Sequence, residues 1–231
     1  MSPSLPVPVI FDLDGTLVDS EPHYFAAART VLAAHGVPGF TWEEHERFIG
    51  IGTRETVETL RARYGISAPV DALLAEKNTA YLALARSSAQ VYAPMQQLVE
   101  RLHAGGHPLA VASGSSRTAI DAVLSDTALD RLLPVRVSAE DVGRGKPAPD
   151  VFLEAARLLD AAPADCVVVE DAPPGVEAAR RAGMRCVAVP YAPGAAGDAA
   201  FASAGLVFPG GQAEFDPGRA YDWVRQAGSG R

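Results

Sequence analysis

VPVIFDLDGTLVDS, residues Val7–Ser20, sets an apolar run (Val7, Val9, Ile10, Phe11) directly against two acids, Asp12 and Asp14, and a turn at Gly15-Thr16. A short, continuous apolar run bounded by turn residues is the pattern of a strand buried on both faces. Five further runs have the same character: Leu109–Ala112, Val135–Val137, Val167–Val169, Cys186–Val189 and Leu206–Phe208. Helical patterns fall between most of them: Met95–Leu102, Ala119–Leu124, Pro149–Leu159 with a proline near its start, and Pro174–Ala182, which stops at Gly183. Strand and helix in alternation predict an α/β domain with a Rossmann-like, doubly wound parallel sheet.

Residues 19–93 break this rhythm. They offer four helical patterns, Pro22–Ala34, Trp42–Phe48, Arg54–Tyr64 and Val70–Ala85, and no convincing strand. Turn signals at His35–Gly39 and Gly50-Ile51-Gly52 separate them. The chain is therefore expected to divide into a discontinuous α/β core, 1–18 and 94–231, and an inserted helical domain, 19–93. Ala192–Ala204, rich in Ala and Gly, reads as a surface loop with a weak helix, and Gly228–Arg231 as a frayed tail.

The chain has 231 residues, is 48% hydrophobic and carries a formal net charge of -8, which suits a folded protein and argues against nucleic acid or an anionic membrane surface as partner. Its two cysteines, Cys166 and Cys186, are too few for a disulfide framework and read as small buried hydrophobes. No apolar run approaches the ~18 residues of a membrane span. Met1–Pro8 has no basic side chain and is broken by prolines, unlike a signal peptide, so a cytoplasmic protein is expected.

Ligands of open parallel sheets bind beyond the carboxyl ends of the strands. Asp12 and Asp14 follow the first run, Ser113-Gly114-Ser115 the second and Glu170-Asp171 the fourth, with Lys146 in a Gly-Lys-Pro turn between them. Four carboxylates brought together need a cation, and hard oxygen ligands suit Mg²⁺. A carboxylate can attack phosphorus, a second can move the proton, and a lysine and hydroxyls can neutralise phosphoryl oxygens.

These stretches together resemble the four signature motifs of the haloacid dehalogenase superfamily, in the right order and across nearly the whole chain. The helical insert resembles the small cap of its β-phosphoglucomutase-like subgroup, which includes many sugar-phosphate phosphatases. The resemblance implies that Asp12 is nucleophile and Mg²⁺ ligand. It makes Asp14 the general acid/base and a ligand through its backbone carbonyl. Ser113 and Lys146, with the Gly114 and Ser115 loop, would hold the phosphoryl group, and Glu170 and Asp171 would complete the metal site. The cap would close over the site and read the substrate.

Asp14 points to phosphate esters, because the superfamily's dehalogenases lack an acid there and its phosphonatases lack the second Asp as well. Arg54 and Lys77 resemble cap cations with which β-phosphoglucomutase holds its substrate. The mutase histidine, however, is replaced by Tyr24, with His23 one residue early, and the spacing from Gly50 to Arg54 is one residue long. Either His23 or Tyr24 is expected to face the cleft, and Phe48, Ile49 and Ile51 fall where a specificity loop belongs. The expectation is a monomeric phosphatase of a small phosphorylated metabolite, a sugar phosphate in the first instance; a mutase and a non-catalytic phosphate-binding module are the alternatives.

Overall fold

A computed structural model describes residues 6–88, 90–125, 127–191 and 197–227. In chain order the elements are β1 (Val9–Phe11), α1 (Glu21–Ala34), α2 (Trp42–Glu46), α3 (Thr53–Tyr64), α4 (Val70–Ser88), α5 (Ala93–Ala104), β2 (Leu109–Ser113), α6 (Arg117–Leu124), α7 (Leu129–Leu132), β3 (Val135–Ser138), α8 (Asp150–Leu158), β4 (Val167–Glu170), α9 (Pro173–Arg181), β5 (Arg185–Ala188), β6 (Leu206–Val207) and α10 (Pro217–Ala227). Among the described residues the six strands form one parallel sheet in the order β3-β2-β1-β4-β5-β6.

The apolar runs are continuous because successive side chains leave opposite faces of the sheet and both faces are covered. Val9 and Phe11 join Val111 and Val169 in one buried cluster. Ile10 joins Ala110 and Val168 in another, beneath α8 and α9. Strand order reverses on either side of β1, so the carboxyl end of β1 lies at the switch point where such sheets bind ligands.

All four helical patterns of the insert are present as α1–α4. Their boundaries shift by up to three residues, with α2 ending at Glu46 rather than Phe48 and α4 continuing to Ser88. A capping box, Thr41 with Glu44, sets the start of α2. Ala28, Val31, Leu32, Phe40, Val57, Leu60, Ile66 and Leu73 give the insert an apolar cluster of its own. Tyr24 of α1 stacks on Tyr81 of α4 with ring centroids 4.0 Å apart, and both belong to the buried cluster that continues into the sheet domain. The two crossings lie side by side: Val18 bridges Val91, Asp19 N–H donates to Gln90 O at 2.9 Å, and Tyr92 N–H to Leu17 O at 3.0 Å.

Cys166 and Cys186 are buried and not joined in a disulfide. Of the Ala192–Ala204 stretch, Ala199–Ser203 is a 3-10 helix, while 192–196 and the tail Gly228–Arg231 lie outside the described residues.

Candidate active site

Asp12 follows β1 and is fixed by its N–H, which donates to Val169 O at 2.9 Å. Its carboxylate meets the buried Lys146, whose Nζ donates to Asp12 Oδ1 at 2.5 Å and to Glu170 Oε1 at 2.8 Å. The other Glu170 oxygen accepts the N–H groups of Asp171 and Ala172, both at 2.7 Å. Asp171 Oδ1 accepts from Thr16 Oγ1 at 2.9 Å, while its Oδ2 is buried and has no partner among the described residues. Two glycines make room for this set. A Cβ on Gly175 would lie 1.6 Å from Glu170 Oε1, and one on Gly15, at φ +81°, would lie 2.4 Å from Asp171 Oδ2.

Oxygens of Asp12, Glu170 and Asp171 all fall within 4.8 Å of one another. Burial is the largest influence on Asp12 and pushes it up to about 8; Lys146 opposes this, and Glu170 and Asp14 add to it. Burial, then the charges of Glu170 and Asp12, push Asp171 well above the usual carboxylate range. Burial would lower Lys146, but Asp12 and Glu170 outweigh it and hold the group as an ammonium. Carboxylates that resist ionisation, with an orphaned buried oxygen among them, fit a hard divalent cation: a nearby positive charge would relieve both conditions.

The Asp14 carboxylate sits apart from that trio. Ser20 Oγ donates to its Oδ1 at 2.6 Å, and Ser113 Oγ (3.0 Å) and Ser115 Oγ (2.6 Å) donate to its Oδ2. Ser115 N–H in turn donates to Ser113 Oγ at 3.0 Å, and the Tyr24 hydroxyl lies 2.6 Å from Ser115 Oγ. A side chain of α1 thus reaches, through one serine, the acid of the loop after β1.

Beyond Asp12 and Lys146 lies a cavity of about 50 Å³, roofed by the insert. Tyr24 lines it, and His23 is on the half-buried flank of the same helix. Phe48 and Ile51 line it too, whereas Ile49 borders a neighbouring cleft. Gly50 presses the loop onto the sheet domain, since a Cβ there would lie 2.4 Å from Ala172 Cβ. Gly114 and Ser115 form part of the floor.

Lys77 projects from α4 into this cavity, with Nζ 5.1 Å from the Tyr24 ring centroid. Burial lowers it to about 8, with Glu21 and Asp14 pulling the other way. The structure does not bring Arg54 to the same cavity. Its guanidinium is exposed and donates to Asp71 Oδ1 at 2.9 Å, with Glu58 beside it.

A lysine whose folded value is about 8 against 10.5 ordinarily lowers stability below pH 8, a cost relieved as pH rises towards 10.5. Lys77→Met, similar in length and uncharged, is therefore expected to stabilise the free protein by roughly 1–3 kcal/mol at neutral pH. In urea titrations the gain should shrink as pH is raised.

Sequence reasoning missed two titratable residues of the cavity, besides the hydroxyls of Thr53 and Thr56. Glu21, at the start of α1, and His45, in α2, are both buried, and His45 Nε2 lies 2.8 Å from Glu21 Oε2. It also missed Ser20 on Asp14 and Thr16 on Asp171. The capping box would have shown that His45 falls in a helix, but nothing in the sequence pairs it with Glu21.

The family model described as haloacid dehalogenase-like hydrolase matches residues 9–189. The chain is 34% identical to a bifunctional riboflavin kinase/FMN phosphatase of Arabidopsis thaliana over 80% of its own length, but spans only about half (48%) of that protein. It is 35% identical to the fructose-1-phosphate phosphatase YqaB of Escherichia coli, covering 78% of this chain and 95% of that one. Against the β-phosphoglucomutase of Bacillus subtilis the identity is 32%, over 78% and 82%. Among solved structures, a mutant of CbbY from Rhodobacter sphaeroides, in complex with xylulose-(1,5)bisphosphate, superposes with a TM-score of 0.78 at 26% identity, covering 91% of this chain and 96% of that one.

Proposed function

The chain belongs to the haloacid dehalogenase-like hydrolase family, and from that premise we propose that it is a Mg²⁺-dependent phosphatase of a small phosphorylated metabolite, a sugar phosphate in the first instance. The observation that carries this reading is the meeting of Asp12, Lys146, Glu170 and Asp171 at the switch point of the sheet, with Asp14 held separately by three hydroxyls. Relatives named as phosphatases of phosphorylated carbohydrates support the substrate class.

In this reading Asp12 and Asp171, with the Asp14 backbone carbonyl, hold the ion, and Glu170 contributes its charge while bound to Lys146. Bound there, Mg²⁺ would supply positive charge to the carboxylates and to the phosphoryl oxygens. An Asp12 oxygen attacks phosphorus, and the bond from phosphorus to the ester oxygen breaks. Asp14, carrying a proton, gives it to that leaving oxygen. Asp14 then takes a proton from water, whose oxygen attacks phosphorus, and the Asp12–phosphorus bond breaks to release phosphate. Lys146, Ser113 and the N–H groups of the Gly114-Ser115 turn bind the phosphoryl oxygens, which requires Ser113 to exchange its bond to Asp14, and the Ser115 N–H its bond to Ser113, for bonds to the substrate.

Residues 1–18 and 94–231 form the catalytic core in this account, and 19–93 the cap. A cavity of about 50 Å³ has room for a few waters, so a sugar phosphate enters only when the cap lifts from the strand ends. The reading carries with it a monomeric, cytoplasmic enzyme that takes neither nucleic acid nor membrane as partner. The net charge of -8 argues against polyanionic partners; among the described residues no helix is long and apolar enough to cross a membrane.

The test is phosphate release from a panel of phosphorylated metabolites with Mg²⁺. Release that stops on chelation is expected. Interconversion of isomers dependent on a bisphosphate would replace the reading with a mutase, and absence of turnover with a binding module.

A further inference from the structure

Besides Tyr24, three titratable groups of the cavity have no part in the phosphoryl chemistry: Glu21, His45 and Lys77. All three are buried. Buried charges are retained at a cost, so their place beside the nucleophile calls for a reason.

Their arrangement is that of a polar subsite. His45 is backed by aromatic rings, with Phe25, Trp42 and Phe40 centroids 5.7, 5.2 and 6.4 Å from its own. Its Nε2 fixes Glu21 through Oε2. Among the described residues the other oxygen, Oε1, carries no hydrogen bond, and Lys77 Nζ has neither a hydrogen bond nor an ion pair. Thr53 and Thr56 add hydroxyls to the same walls. The set offers an acceptor, a donor and two groups that do both, which is what vicinal hydroxyls require.

The charges point the same way. Glu21 offsets Lys77, and Asp14 lies close enough to influence Lys77 as well. A second phosphate or a carboxylate in this subsite would meet Glu21 with no unopposed cation. The wider cleft outside, about 640 Å³, is no better suited: Arg54 there is engaged by Asp71, and Glu55, Glu58 and Glu140 share its walls.

We propose that Glu21, His45 and Lys77 form a subsite for the hydroxyls of an uncharged leaving group, so that the substrate is a monophosphate ester of a neutral polyol or sugar, and not a bisphosphate or a phosphorylated acid. This rests on the phosphatase reading. Glu21 accepts from a leaving-group hydroxyl, Lys77 donates to a neighbouring one, and Glu21 repels anions that would otherwise compete.

Matched pairs of substrates test it: glycerol phosphate against phosphoglycerate, and a hexose monophosphate against the corresponding bisphosphate, with acetyl phosphate as a control without hydroxyls. The neutral member of each pair should have a kcat/KM higher by about tenfold or more. Glu21→Gln should raise KM for the neutral esters by about tenfold and narrow both ratios. Should that variant fail to fold, the wild-type ratios decide alone. Equal or better use of the charged member of each pair, or ratios unmoved by Glu21→Gln, would overturn the subsite while phosphatase activity stood. Absence of turnover on every compound, acetyl phosphate included, would overturn hydrolysis and the subsite with it.

Discussion

Asp12→Asn is expected to lower phosphate release by roughly 10⁴-fold or more, while any stability it costs the metal-free protein, through the lost partner of Lys146, shrinks as pH rises from about 5 to about 7.5. The asparagine amide is nearly the same shape but cannot form the bond to phosphorus. The stability half follows from burial. In the folded protein Asp12 is raised to about 8, against 3.8 ordinarily. A carboxyl group with a raised folded value contributes stability that is complete below pH 3.8 and lost as pH climbs towards 8. At neutral pH the metal-free wild type has lost most of it, and an uncharged residue has none to lose. Melting curves with chelator at about pH 5 and about pH 7.5 should show the variant gaining on the wild type at the higher value. Mg²⁺ should raise the wild-type midpoint by binding only the folded state, and should raise the variant's less. A variant that kept a tenth of the activity would remove Asp12 from the mechanism.

Lys146→Met is expected to cost both activity and fold. Lys146 is the one ion-pair partner of Asp12 and Glu170 among the described residues, and all three side chains are buried. Removing one member of a buried pair leaves uncompensated charge, at a cost of about 3–5 kcal/mol. For a chain of this size that corresponds to a fall of about 10 °C in melting temperature. The loss comes from carboxylates left without a cation, so it should diminish as pH is lowered and they take up protons. Urea titrations across that range check the sign. A uniform loss at every pH would mean that Lys146 acts by packing, through its contact with the Phe152 ring at 4.8 Å, and not by charge.

The sheet and the core of the site were legible because their signals are local. Strands buried on both faces leave unbroken apolar runs, and the residue after each run sits at the ligand-binding end. Asp12, Ser113 and Glu170-Asp171 could therefore be found one strand at a time, and their order matched a family pattern. The four helices of the insert were legible from spacing and turn residues, with errors only at their ends, such as Phe48 falling in the turn after α2. What the sequence did not disclose depends on distant pairs. Glu21 reads as an acid in the first turn of a helix, and only the packing of α1 against α2 brings it to His45, 24 residues away. Arg54 reads as a candidate ligand until α4 places Asp71 beside it. Tyr24 was ambiguous with His23 because a one-residue step along a helix turns a side chain by more than a quarter of a circle, and the entry angle of α1 is set by tertiary contacts.

If Asp12 takes the phosphoryl group and Asp14 moves the protons, the phosphoryl group is to be found on Asp12 itself. Asp14→Asn with acetyl phosphate and Mg²⁺ isolates the step, because acetate leaves without a proton while the water of the second step loses its base. Peptide mass spectrometry after acid quenching should find phosphate on the fragment containing Asp12, in higher yield than in wild type, and none when Asp12 is also replaced by asparagine. Phosphate on another residue, or an active wild type that never carries it on Asp12 while the Asp14 variant also stays unmodified, would contradict the account.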